Sequence, residues 1–206
     1  MGRPNDPRNP DLVQAMGADA ELDAARRTLL TKGFEYGYCR NFEWLGIPII
    51  QWPQDVLALV EIVWNVRPTL IVETGVAFGG GLLLYATMQR LAGIEPNVIG
   101  VEVAMRPENH ERLFAHPLAS GIAILEGSST DPVVVAQVMA HAARSERTLV
   151  ILDSDHSHEH VAAELALYSQ FVTPGSYLVV YGTSVADLPP DVKLDRPWGP
   201  ERNPAS

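Results

Sequence analysis

Between residues 69 and 183 the chain repeats one pattern, a short apolar run followed by a helix-like segment. The runs are "TLIVE" (69–73), "NVIGVEV" (97–103), "GIAILEG" (121–127), "RTLVILD" (147–153) and "GSYLVVYGT" (175–183). Each is too short for a helix and rich in β-branched residues, so each reads as a strand. "GLLLYATMQRLA", "DPVVVAQVMAHAA" and "HEHVAAELALYSQF" lie between them with helical spacing. Strand, helix, strand in repetition means parallel strands covered by helices on both faces. Right-handed crossovers make this an α/β, doubly wound, mainly parallel open sheet, which binds ligands beyond the carboxyl ends of its strands. Glu73, Glu102, Ser128, Asp153 and Gly182 all fall at or just after those ends.

The chain before the alternation is less regular. Residues 11–32 read as one helix rich in Ala and Leu, 34–53 as aromatic and irregular, and 54–66 as a second helix. "MGRPNDPRNPD" reads as a loose arm without the apolar core of a signal peptide. The expected organisation is an N-terminal arm and helix over 1–35 and a ligand-binding domain over 36–206. Nothing in "RPWGPERNPAS" reads as further strands, so the fifth strand is expected either to be an open edge or to be covered by the N-terminal segment. An open edge invites pairing with a second chain, and a homo-oligomer is expected.

Charge narrows the partners. The formal net charge is -10 and no stretch clusters Lys and Arg, which argues against nucleic acid and anionic membranes. A single cysteine, Cys39, leaves no internal disulfide and fits a reducing cytoplasm. No apolar run approaches the roughly 18 residues of a membrane span.

The first turn, "VETGVAFGGG" (72–81), ends a strand and opens a helix. Gly75 and Gly79 permit a tight turn and close ligand approach. The spacing departs from the dinucleotide fingerprint, and Glu73 would repel a pyrophosphate placed there. A ligand with an ammonium group suits a carboxylate at that point. S-adenosylmethionine (SAM) has an α-amino group, a sulfonium and a ribose. Glu102, at the end of the second strand, is placed to accept from ribose hydroxyls. The plainer alternative is that Glu73 and Glu102 cap helices or pair with arginines.

"ILDSDHSHEH" (151–160) concentrates Asp153, Asp155, His156, His158, Glu159 and His160. Such a run can hold a metal, supply a general base, or form a solvated helix start. His158, Glu159 and His160 read as the polar first turn, where Glu159 favours the positive helix end. A metal-dependent hydrolase built on this run would leave Glu73 and Glu102 unexplained.

Five stretches carry a family resemblance. They are "NFEWLGIPIIQWPQDVLALVEIVW", "IVETGVAFGGG", "HPLASGIAILEGSSTDPVVVAQV", "LDSDHSHEHVAAELALYSQFVTPGSYLVV" and "DRPWGPERNP". Together they resemble the cephalosporin hydroxylase group of SAM-dependent methyltransferases, which includes rhamnosyl O-methyltransferases. The resemblance implies a Rossmann-like sheet of the class I methyltransferase type, lacking its usual C-terminal strands. It implies O-methylation of a sugar or small natural product, with SAM bound by Glu73, Gly75, Gly79, Glu102, Ser128 and Asp153. It further implies that Asp153 binds magnesium and that His156 is the general base. Relatives carry a metal-binding acid after the fifth strand, where this chain has Tyr181 and Gly182. Phe78 and Ala104 stand where a His and an Asp are expected. A SAM-binding relative with a degenerate metal site is the alternative.

Overall fold

The computed structural model describes residues 9–192, 194 and 196–206. Most of the expected arm, residues 1–8, lies outside them. Asp19 decides how the N-terminal segment folds. Its carboxylate accepts from Glu21 N (2.9 Å) and Leu22 N (3.0 Å), an N-cap that starts a new helix. The single helix expected over 11–32 is therefore two, α1 (Pro10–Gly17) and α2 (Ala20–Tyr36).

The stretch 34–53, expected to be irregular, contains a hairpin. β1 (Phe42–Trp44) pairs antiparallel with β2 (Ile47–Ile49). Leu45 and Gly46 both have positive φ, the backbone of a two-residue turn whose twist suits the flanking strands. Proline at the first position then opens α3 (Pro53–Val66).

The five apolar runs become β3 (Leu70–Thr74), β4 (Val98–Glu102), β5 (Ile122–Glu126), β6 (Thr148–Leu152) and β7 (Leu178–Val180). They form one parallel sheet in the order β5-β4-β3-β6-β7. α4 (Gly80–Leu91), α6 (Pro132–Ala142) and α7 (His158–Tyr168) fall where the helical spacing predicts them. α5 (Pro107–Phe114), between β4 and β5, is an element that the apolar pattern does not reveal. β7 is shorter than its run, because Gly182 turns the chain away once Tyr181 N has bonded Leu152 O (2.9 Å). Among the described residues no strand pairs with the outer edge of β7.

β3 and β6 are buried at every position, which is why both read as unbroken apolar runs. Ile71, Leu149 and Ile151 face α3, α4 and the hairpin, whereas Leu70, Val72, Val150 and Leu152 face α6 and the end of α7. α4 is enclosed on all sides, with Leu82, Leu83, Leu84, Tyr85 and Ala86 buried. Each buried leucine there contributes roughly 1.5–3 kcal/mol. The chain winds outward from β3 through β4 to β5, then crosses back to β6 on the other side of β3. The topological switch point therefore lies between the ends of β3 and β6. Leu30 of α2 packs with Trp52, Val185 and Leu188, so α2 and the segment after β7 meet beside that point.

Candidate functional site

An open cleft of about 970 Å³ lies at the switch point. Its floor is the turn after β3 and the loop after β6, and its walls come from the end of α2, the segment after β2 and the residues beyond β7. Of the candidate residues, Glu73, Gly75, Asp153 and His156 line it together. Gly75 makes this possible. It has φ +83°, and a Cβ there would run into the Asp153 carbonyl, so a side chain would force the two strand exits apart.

Glu73 is buried under the turn, where Tyr85 Oη donates to its Oε1 at 2.5 Å. Burial pushes its carboxyl up to about 8, against the pull of the Tyr85 hydrogen bond, and the Glu102 charge adds to the rise. Glu102 sits on the far side of the same turn. Its Oε2 accepts from Val76 N (2.9 Å) and Ala77 N (3.1 Å), and Oε1 is 3.4 Å from Ala104 N. Glu102 thus holds the turn, while its remaining lone pairs can still accept. Glu102, Gly79 and Ser128 do not line the cleft. Gly79 caps the start of α4. Ser128 Oγ lies 3.0 Å from Thr130 Oγ1 and accepts from Thr130 N (3.3 Å), a local turn leading into α6.

On the opposite side, a fifth of the Asp153 side chain is exposed to the cleft. Gln51 Nε2 donates to its Oδ2 at 2.7 Å. Burial, followed by the charges of Glu73, Glu164 and Asp55, raises the Asp153 carboxyl well above its ordinary value, and Gln51 opposes this. His156 Nε2 stands 3.6 Å from Asp153 Oδ1. Burial pushes the imidazole down to about 4, with Asp155 opposing and Arg196 adding to the fall. At neutral pH His156 is therefore uncharged, the form that can take a proton, and its approach to Asp153 is no ion pair. The ring lies across Gly182 and meets Trp198 edge-on at 5.1 Å.

The rest of the run behaves as a polar helix start that also secures neighbouring segments. Glu159 accepts from Arg202 Nε (2.8 Å), and His158 Nδ1 lies 3.3 Å from Ser206 Oγ. His160 Nε2 is 3.1 Å from Ser129 Oγ and 3.5 Å from the buried Glu164. Glu164 in turn accepts from Ser154 Oγ at 2.7 Å, which fixes the loop that carries Asp153.

The residues fit SAM better than magnesium. A glycine-lined turn over a buried acid offers room and, once Glu73 is ionised, a counter-charge for an ammonium group. For the metal, Gly182 offers nothing beside Asp153, and the possible substitutes are engaged elsewhere, Glu73 with Tyr85 Oη and Asp155 with Ser157 N. No group of three His, Cys, Asp or Glu suited to a metal occurs among the described residues. A hard cation wants several oxygens. Sequence reasoning missed Gln51 and Tyr85. Tyr85 is marked only as the one aromatic residue of α4, and Gln51 only as a polar residue ending "IPIIQ".

A family model described as Rhamnosyl O-methyltransferase/CmcI matches residues 36–206. Among curated proteins, the rhamnosyl O-methyltransferase of Mycobacterium leprae is 30% identical over 149 residues, covering 71% of this chain and 62% of the relative. That of Mycobacterium bovis is 29% identical over 161 residues, covering 74% and 63%. The chain thus spans less than two thirds of these relatives. Solved structures of CmcI are similar in fold. The apo form has TM-score 0.52 at 20% identity over 71% of this chain and 58% of that one. The form with magnesium and SAM has TM-score 0.50 at 19% identity over 68% and 57%. By its match over 36–206, the chain belongs to the rhamnosyl O-methyltransferase/CmcI family.

Proposed function

We propose that this chain is a SAM-dependent O-methyltransferase acting on a hydroxyl of a sugar or small natural product. One observation carries the reading. The buried acid and glycine turn after β3 open into the same cleft as Asp153 and His156, at the switch point of the sheet. The family match and the names of the curated relatives support it.

Glu73 holds the ammonium end of the donor, and Gly75 leaves it room. Glu102 keeps the turn in shape and offers its free lone pairs to the ribose, while Gly79 starts α4 and Ser128 shapes the turn into α6. SAM supplies a methyl group on a positively charged sulfur. His156 takes the acceptor hydroxyl's proton at Nε2 as the oxygen–methyl bond forms, and Asp153 stabilises the imidazolium that results. The test is calorimetry with S-adenosylhomocysteine, followed by transfer of labelled methyl groups from SAM to a panel of glycosides. Absence of cofactor binding would overturn the proposal.

Gly182 favours a second reading, a SAM-binding relative in which the metal site is degenerate and turnover is lost. Cofactor binding with no transfer to any acceptor would favour it. Residues 36–206 are read as the cofactor-binding unit, in line with the span of the family match, and 1–35 as an added arm and helix. No helix among the described residues is long and apolar enough to cross a membrane. A cytoplasmic location is proposed from the lone Cys39, and a homo-oligomer from the outer edge of β7, with which no strand pairs among the described residues. No nucleic-acid partner is proposed, in keeping with the acidic charge.

A further inference from the structure

We infer that the Asp153–His156 pair works without a divalent metal ion, and that the Gln51 side-chain amide takes the place at Asp153 where a metal would bind. The inference rests on the proposed methyl transfer for its chemistry, but its geometric basis is separate. The amide presents its N–H to Asp153, with Gln51 Nε2 donating to Oδ2. At 2.7 Å that donor occupies Oδ2, one of the two oxygens a cation would use. Gln51 is a cleft residue on the segment between β2 and α3, remote in sequence from Asp153.

The other side of the would-be metal position is also closed. Just after β7, Gly182 lines the cleft with no side chain to offer. A Cβ built on Gly182 lies 2.5 Å from Cγ and Nδ1 of the His156 ring, and φ there is +79°. The volume that an acidic side chain needs is filled by the imidazole. Gly182 and His156 therefore fit as a pair, because the missing side chain is what lets the ring lie there, with Trp198 against it. The cleft's other carboxylates do not gather around Asp153 Oδ1: Glu73 accepts from Tyr85 Oη and Glu35 pairs with Lys32. No group of three His, Cys, Asp or Glu suited to a metal occurs among the described residues, and such a site suits magnesium poorly.

Chemistry without the ion is balanced. The acceptor O–H bond breaks, its proton goes to His156 Nε2, and the oxygen's electron pair takes the methyl group. The S–CH3 bonding pair stays on sulfur, leaving a neutral thioether. The imidazolium forms 3.6 Å from Asp153 Oδ1, so the charge arises beside a carboxyl group already oriented by Gln51. Gln51 is a positioning residue in this scheme, acting through Asp153.

The experiment combines two titrations of the full chain. Manganese, as a paramagnetic stand-in for magnesium, is titrated by electron paramagnetic resonance with and without S-adenosylhomocysteine. S-adenosylhomocysteine is titrated calorimetrically in EDTA and in excess magnesium. The expected results are no saturable manganese site through the millimolar range and equal cofactor affinity in both buffers. A stoichiometric manganese site that Asp153→Asn abolishes would overturn the inference, as would an increase of about tenfold or more in cofactor affinity with magnesium. Gln51→Glu supplies the positive arm. It exchanges the amide for a second carboxylate beside Asp153 and should create a manganese site. If Gln51→Glu binds no more manganese than the wild type, Gln51 does not stand in the metal's place. Failure of S-adenosylhomocysteine to bind at all would overturn the methyltransferase proposal instead, and the manganese titration would still decide the metal question.

Discussion

Glu73 makes cofactor affinity depend on pH in a defined direction. In the free protein its carboxyl is raised to about 8 by burial, so at neutral pH most of it carries a proton. An ammonium group placed above it needs the ionised form. If only that form binds, the apparent dissociation constant is multiplied by about 2 near pH 8, about 11 near pH 7 and about 100 near pH 6. Affinity therefore rises with pH and levels off above the carboxyl's own value, and each binding event at lower pH releases a proton. Calorimetry with S-adenosylhomocysteine between about pH 6 and pH 8, in two buffers of different ionisation enthalpy, measures both the slope and the proton. Glu73→Gln should bind weakly and without that slope. Tyr85→Phe should weaken binding at neutral pH and move the levelling-off to higher pH, because the lost hydrogen bond favours the charged form. A flat wild-type profile with no proton release would refute the reasoning, as would an unchanged slope in Glu73→Gln.

The same group affects the stability of the free protein. The native state holds a proton on Glu73 that the unfolded chain loses above about 4.5, so stability falls as pH rises from there to about 8. At neutral pH this costs about 3 kcal/mol, and Glu73→Gln should recover much of it as a higher melting temperature. His156→Ala should leave S-adenosylhomocysteine affinity nearly intact while turnover falls by about 10²–10⁴, and His158→Ala should do much less. Turnover undiminished without His156 would remove it from the reaction. Glu102→Ala should weaken cofactor binding by about tenfold or more and also loosen the turn, whereas Glu102→Gln keeps an acceptor for Val76 N and Ala77 N and should retain the fold. Equal affinity in all three proteins would take Glu102 out of the site. Gly182→Asp should destabilise by roughly 2–4 kcal/mol, read as a drop in melting temperature, because positive φ and the His156 ring both oppose a side chain. An unchanged melting temperature would mean that the ring moves aside freely.

The sheet was legible because burial leaves a mark in composition. β3 and β6 lie between two layers, so every residue from Leu70 to Thr74 and from Thr148 to Leu152 is shielded, and their alternation with helical spacing allows few topologies. The hairpin was not legible, since three-residue strands such as Phe42–Trp44 have no room for a period. The break before α2 turns on the single side chain of Asp19, which an Ala-rich window conceals.

For the site, strand ends located the acids, because an open α/β sheet gathers the residues after its strands at one edge. That rule placed Glu73, Asp153 and His156 in one cleft. It could not separate residues facing the cleft from those facing the turn, which is why Glu102 holds Val76 N and Ala77 N and Ser128 bonds Thr130. Nor could it reveal Gln51, which reaches Asp153 from outside the alternating part of the chain. Gly182 shows the limit most clearly. In the sequence it is a ligand that is missing. In the fold it is the surface on which His156 rests, so restoring an acid there would remove the base from its position. A departure from a family pattern therefore reads as loss only until the side chain that fills the vacated space has been found.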